Sequence, residues 1–216
     1  MTPAFKIDFV SDVSCPWCVI GLKGLETALE RMGASAQGGI HFRPFELNPQ
    51  MVPEGQHLGE HIAQKYGATP EQSAANRAAI RERAGALGFT MTTAADSRIY
   101  NTFDAHRLLH WAREEGRQQA LKQALFAAYF TDGRHVGDHG VLVEVAASVG
   151  LDAARAQAIL EGDEFAEAVR AEEALWRQRG INSVPAIIVN DRYLISGGQP
   201  PEAFEQALRQ IASEVA

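Results

Sequence analysis

"FKIDFVSDVSCPWCVIGLKGLETALERM", residues 5–32, carries a strand pattern, a tight turn and a helix pattern in immediate succession. Phe5, Ile7 and Phe9 alternate with Lys6 and Asp8, the period of two that marks a half-buried strand. The chain then turns through "SDVS" into Ile20, Leu22, Leu25, Leu29 and Met32, spaced as one face of a helix that ends near Gly33. Ser14 is the expected N-cap, which puts Cys15 in the first helical turn. A strand running straight into a helix that opens with Cys-Pro-Trp-Cys is the nucleus from which the rest is read.

Outward from it, "GGIHFRPFELNP" (38–49) reads as a second strand closed by Asn48-Pro49, completing β-α-β. From about residue 54 to 180 the character changes. β-Branched alternation gives way to Ala, Gln, Glu and Arg at helical spacing, and breaks such as "YGATP", "ALGFTMTTAADS", "TDGRHVGD" and "EGDE" predict five to seven short helices. Strand character returns at "AIIV" and "RYLI", with Asn190-Asp191 as a hairpin turn between them, and Pro201 suits the first turn of a last helix. The expected fold class is α/β: a β-α-β…β-β-α domain made of 1–53 and 179–216, interrupted by an all-helical insertion domain at 54–178.

The chain has 216 residues, 46% of them hydrophobic and 22% charged, enough for a substantial core. Twenty Lys and Arg against 27 Asp and Glu leave a net charge of −7, which argues against general affinity for nucleic acid or anionic membranes. No apolar run reaches the roughly 18 residues of a membrane helix. The opening goes directly into strand alternation, without a basic and then apolar leader, so a mature cytoplasmic N-terminus is expected.

Cys15 and Cys18 are the only cysteines. Their C-x-x-C spacing fits half of a zinc site, which histidines would have to complete. It also fits two core thiols, or a redox pair. A reducing compartment disfavours a static bridge. The surroundings suit redox chemistry. At a helix start the first sulfur meets unpaired N–H groups and the dipole, both of which favour a thiolate, while the second lies one turn deeper, within reach of a mixed disulfide. Cys15 is therefore expected to be the exposed, reactive thiol and Cys18 the shielded one. Trp17 offers an apolar face beside the sulfur, and Pro16 is tolerated because first-turn amides lack intrahelical partners. In "NSVPAIIVN", Pro185 stands where a strand begins. A cis Val184–Pro185 bond would present the Val184 backbone to an incoming thiol or peptide.

Taken together, "FVSDVSCPWC", "FRPFELNP", "NTFDAHRLLHWA" and "GINSVPAIIVN…ISGGQ" resemble the DsbA-like branch of the thioredoxin superfamily, in particular its FrnE-type members. These are relatives of kappa-class glutathione transferases and 2-hydroxychromene-2-carboxylate isomerases. The resemblance implies a thioredoxin fold with a helical insert, Cys15 as attacking thiol, Cys18 as resolving thiol, and a cis-Pro185 facing them. Pro16, Trp17 and Val184 would contact substrate. It further implies a protein disulfide oxidoreductase or isomerase-like enzyme that acts on protein or small-molecule thiols and disulfides and requires no cofactor. The alternative is a glutathione-dependent isomerase or transferase on the same scaffold, with glutathione as its thiol cofactor. Those isomerases usually carry Ser where Cys15 stands.

Three further expectations concern side chains around the pair. Asp8 points away from Phe5, Ile7 and Phe9 and is a candidate proton acceptor for Cys18. Asp12 is expected to be a turn residue whose charge opposes the Cys15 thiolate. By the same resemblance the helix carrying "NTFDAH" faces the active-site cleft, which implies that Asn101 and His106 touch substrate. The pairs His57/His61, His106/His110 and His135/His139 have i, i+4 spacing but lack the third ligand of a metal site, so no metal is expected.

Overall fold

The computed structural model describes residues 4–92, 94 and 96–215. Met1–Pro3, on which the reading of the N-terminus begins, and Thr93 and Ala95 of the expected break at 86–97 lie outside the described residues.

Strand β1 (Ala4–Ser11) leads through residues 12–15 into helix α1 (Pro16–Arg31), and β2 (Ser35–Pro44) returns parallel to β1. The insert follows: α2 (Leu58–Tyr66), α3 (Pro70–Ala86), α4 (Phe103–Glu114), α5 (Gln118–Phe126), α6 (His139–Ser148), α7 (Ala153–Glu161) and α8 (Ala166–Gln178). Among the described residues the insert also carries a two-residue ribbon, β3 (Gln56–His57) against β4 (Arg98–Ile99), and a π-helical turn at Ala127–Thr131. The chain then rejoins the sheet with β5 (Ala186–Val189) and β6 (Tyr193–Ser196) and closes with α9 (Pro201–Val215).

The sheet order is β2-β1-β5-β6, with β5 antiparallel to both neighbours. Asn190 and Asp191 turn the β5–β6 hairpin at φ of 53° and 57°. That left-handed pair matches the strands' own twist, and it selects Asn and Asp because they tolerate this conformation.

Alternation along β1 separates two layers. Phe5, Ile7 and Phe9 pack with Leu22, Leu25 and Leu29 of α1 and with Phe204 and Leu208 of α9. The opposite face carries Val10, against Trp176 and Ile181. Side chains thus alternate between a thick layer and a thinner one covered by the end of α8. The insert has its own core, built from Leu108, Leu121, Leu142 and Ile159, but the partition at 54 and 178 is not a partition of cores. Phe126 of the insert lies in the first cluster with Cys15 and Cys18, while Val13 of the β1–α1 turn lies in the insert's cluster. The β1–α1 turn is therefore clamped between the two cores.

The helix start differs from the sequence expectation. The N-cap of α1 is Cys15 (φ −91°, ψ 112°), not Ser14, and no side chain caps it. Pro16 is the reason. Its fixed φ suits the first helical position, and its ring drives the preceding residue into extended geometry. Ser14 instead donates its backbone N–H to Asp12 Oδ1 at 3.3 Å.

Candidate active site

Residues 11–18 place both sulfurs at the junction of sheet, insert and the 184–185 turn. Cys15 and Cys18 are free thiols, and Cys18 is fully buried. Cys15 Sγ lies 3.6 Å from the Val184 carbonyl oxygen, to which the thiol donates. The Val184–Pro185 peptide is cis. Burial, together with a hydrogen bond and charge from Cys15, pushes the Cys18 thiol well above its ordinary range. The expectation that Cys15 would be the exposed thiol needs correction, because it keeps only 3% of its surface. The Val184 turn covers it on one side, and access is through a cavity.

That cavity, about 840 Å³, opens onto Cys15, Pro16, Trp17 and Val184. Its far walls come from α2 and α3, from the 45–48 segment and from Arg98–Tyr100. Among its described lining residues Lys65, Arg77, Arg81, Arg98 and Arg177 outnumber the one acid, Glu46, so a chain of net charge −7 encloses a locally basic cavity. Lys65 is held by the Leu47 carbonyl at 2.9 Å and Asn48 Oδ1 at 2.7 Å, and Arg98 by the carbonyls of Glu54 and Gly55. Trp17 is half-buried, with the Arg83 guanidinium 5.2 Å from its ring centroid.

Helix α1 comes within van der Waals limits of the loop after β6. A Cβ on Gly198 would stand 2.7 Å from the Trp17 carbonyl oxygen, and one on Gly24 would stand 2.7 Å from the Gln199 carbonyl oxygen. Only glycine lets these backbones touch.

Asp12 is more than a turn residue. Its carboxylate is 1% exposed, accepts the Leu47 N–H at 2.7 Å, and faces His106 Nε2 at 3.6 Å. Burial alone would raise this carboxyl. His106, the Leu47 N–H and Thr102 outweigh it and hold Asp12 below its ordinary value.

Asp8, the expected proton acceptor, has another partner. It sits on the sheet face opposite Cys18 and accepts from Arg43 Nε at 2.6 Å, while Arg43 also pairs with Glu172. Strand alternation sets this, since every second residue of β1 faces away from the α1 layer. Asn101 and His106 do not line the cavity either. Asn101 Oδ1 accepts the Phe103 N–H at 2.9 Å at the start of α4, and His106 is 3% exposed and turned to Asp12. The resemblance placed α4 beside the cleft, but its inward face meets the β1–α1 turn, while Ser97, Arg98, Ile99 and Tyr100 ahead of it line the cavity. Within the pair His135/His139 the two rings have separate partners. His135 stacks on Tyr100 at 3.6 Å and His139 pairs with Asp104. Among the described residues no three His, Cys, Asp or Glu side chains gather as a metal ion would need.

Sequence reading passed over Lys122. Its side chain is fully buried, on an α5 face shared with Leu125 and Phe126, with Nζ 4.9 Å from the Phe126 ring centroid. A signal was available in "ALKQALF", where Lys122 stands three and four residues before apolar positions, on the face that packs inward.

Residues 6–209 match the family described as DSBA-like thioredoxin domain. The chain is 27% identical over 209 residues to the uncharacterized protein YwbO of Bacillus subtilis, covering 96% of each. It is similar to the crystal structure of a "probable DsbA oxidoreductase SCO1869" from Streptomyces coelicolor, with a TM-score of 0.90 and 36% identity over 97% of this chain and 91% of that one. At 17% identity it shares the fold of the cytosolic disulfide reductase DsbM from Pseudomonas aeruginosa, solved with GSH, with a TM-score of 0.64 over 96% and 99% of the two chains. With a sheet, helical insert and C-x-x-C helix start of this kind, and a family match across nearly its whole length, the chain belongs to the DSBA-like thioredoxin domain family.

Proposed function

We propose that this protein is a thiol–disulfide oxidoreductase of the FrnE type, working in the cytoplasm through Cys15 and Cys18. The reading is carried by one observation: Cys15 caps a helix N-terminus, opens onto the cavity, and has a second free thiol buried one turn behind it. Cys15 attacks one sulfur of a substrate disulfide, the other leaves as a thiolate that takes up a proton, and a mixed disulfide forms. Cys18 then attacks Cys15 Sγ and releases the second substrate thiol, leaving the pair oxidised and the substrate reduced by two electrons. The backbone of Val184 and the faces of Pro16 and Trp17 would position the substrate. Protein and small-molecule disulfides both suit the reaction.

The test uses a peptide disulfide and mass spectrometry. Cys18→Ser should accumulate a mixed disulfide on Cys15, and Cys15→Ser should accumulate none. Adducts of equal yield on the two variants would refute the assignment of roles.

The basic cavity favours a second reading, in which an anionic thiol such as glutathione binds as cofactor and the enzyme is an isomerase or transferase. Calorimetric titration with S-methylglutathione, which cannot exchange, separates the readings. Saturable binding unaffected by Cys15→Ser would favour the cofactor, whereas dependence on a free thiol would favour exchange.

A further inference from the structure

The charges around the main cavity are sorted in a way that thiol exchange does not itself require. Lys65 of α2, Arg77 and Arg81 of α3, Arg98 of β4 and Arg177 of α8 all line it, together with Cys15. Elsewhere arginines are matched with carboxylates, as Arg43 is with Asp8, Arg113 with Glu172 and Arg155 with Glu164. Among the described residues none of the five cavity cations joins an ion pair. Their partners are neutral. Lys65 holds the Leu47 carbonyl and the Asn48 side chain, Arg77 donates to Ser73 Oγ at 2.6 Å, and Arg98 donates to two carbonyls. The Arg177 guanidinium lies 5.5 Å from the Phe45 ring centroid, and Arg81 is exposed with no hydrogen-bond partner among the described residues. Glu46 does not balance them, because its side chain is 0% exposed and bound to Arg170. The acids of α2 and α3, Glu60, Glu71 and Glu82, are exposed and do not line the cavity. Cations gathered around one concave site repel each other, so folding alone gives no reason for this sorting in a chain of net charge −7.

We propose that the Cys15–Cys18 pair acts on a low-molecular-weight disulfide with carboxylates at its ends, taken whole into this cavity, and not on the disulfides of folded proteins. This rests on the reading of Cys15 and Cys18 as an exchange pair, and the anion is here the substrate and not a cofactor. Size sets the first half of the class. Cys15 keeps 3% of its surface, so a substrate sulfur meets it only inside the cavity. The volume of about 840 Å³ falls in the range of small-molecule sites, roughly 300–1,000 Å³. A disulfide of a folded protein carries main chain on both sides of each half, and that bulk does not pass α2 and α3. Charge sets the second half. A carboxylate entering the cavity meets cations that no protein carboxylate has to release first. Ser73, Arg77 and Arg81 follow each other at intervals of four on one face of α3, with Ile80 beside them to cover an apolar stem. The Ser73 hydroxyl orients the Arg77 guanidinium, and that of Arg81 is free for a two-point grip on a carboxylate. The exchange is the one given above. The reduced pair gives up two electrons and becomes a disulfide, and the substrate leaves as two anionic thiols.

The test follows oxidation of the reduced pair by acid quench and mass spectrometry, using three small disulfides of similar size and different charge: 3,3′-dithiodipropionate, bis(2-hydroxyethyl) disulfide and cystamine. The same three react with the protein unfolded in urea, which gives the reference without a cavity. Relative to that reference, the dianion should outpace the neutral disulfide on the order of tenfold or more at low ionic strength, and cystamine should fall below both. The preference should shrink in about 0.5 M salt, because counterions screen the wall charges. Arg77→Gln and Arg81→Gln should each lower the dianion-to-neutral ratio about three- to fivefold, and Arg81→Lys should keep it within about twofold of wild type. Insulin, offering disulfides held in a folded protein, should oxidise the pair more slowly than the dianion at equal concentration. Equal corrected rates for the three small disulfides, oxidation by insulin as fast as by the dianion, or an unchanged ratio in both glutamine variants would overturn the proposal while leaving the exchange reading intact. Absence of oxidation by every disulfide tried would overturn both.

Discussion

Replacing Asp12 by Ala tests the polar hinge on which the site is hung. The carboxylate is buried, and its Oδ2 accepts the Leu47 N–H at 2.7 Å while Oδ1 accepts the Ser14 N–H at 3.3 Å. Removing it strands the Leu47 donor in the interior, at about 1–3 kcal/mol. The longer Ser14 bond adds less, so the loss at pH 7 should be about 2–4 kcal/mol. In urea, where a chain of this size loses about 2–3 kcal/mol of stability per molar, that is a drop of roughly 1 M or more in the midpoint. Tryptophan fluorescence reads it, since Trp17, Trp111 and Trp176 lie in the cores or against them. The dependence on pH carries the sharper test. The folded state holds Asp12 below its ordinary value of 3.8. Its contribution should therefore be fully present above about pH 5 and fade as pH falls through the folded value, because a depressed folded pKa stabilises only while the group is ionised. The difference between wild type and Asp12→Ala should be flat from pH 8 to 5 and narrow below 4. A difference that is absent at pH 7, or that widens on acidification, would refute the role given to this carboxylate.

Two other substitutions probe the surroundings. Gly198→Ala drives a methyl against the Trp17 carbonyl, 2.7 Å away, and should cost about 1–3 kcal/mol in chemical denaturation while slowing alkylation of Cys15, because the first turn of α1 has to shift. Asp8→Ala removes the acceptor of a 2.6 Å bond from Arg43 and should cost about 1–3 kcal/mol, yet leave the resolving rate and its pH profile unchanged. A slower resolving step in Asp8→Ala would restore that residue as the proton acceptor.

Local chemistry was enough to read much of this protein from its residues. Phe5, Ile7 and Phe9 declare a strand by period, Cys-Pro-Trp-Cys declares a helix start because proline and the orphan amides fit there together, and Asn190-Asp191 declares a turn because few residues adopt its left-handed φ. These features are settled within a few bonds of the residues that encode them. The direction in which a buried polar side chain points is settled by packing between segments far apart in sequence. Asp8 looked free to serve Cys18 until β2 brought Arg43 beside it, 35 residues away. His106 looked like a cleft residue until the insert folded its α4 face onto Asp12. Lys122, which the sequence reading passed over, is shut from water where the two cores close around the β1–α1 turn. Desolvation is a property of the closed interior, so the groups it alters most were the ones only the tertiary structure could identify.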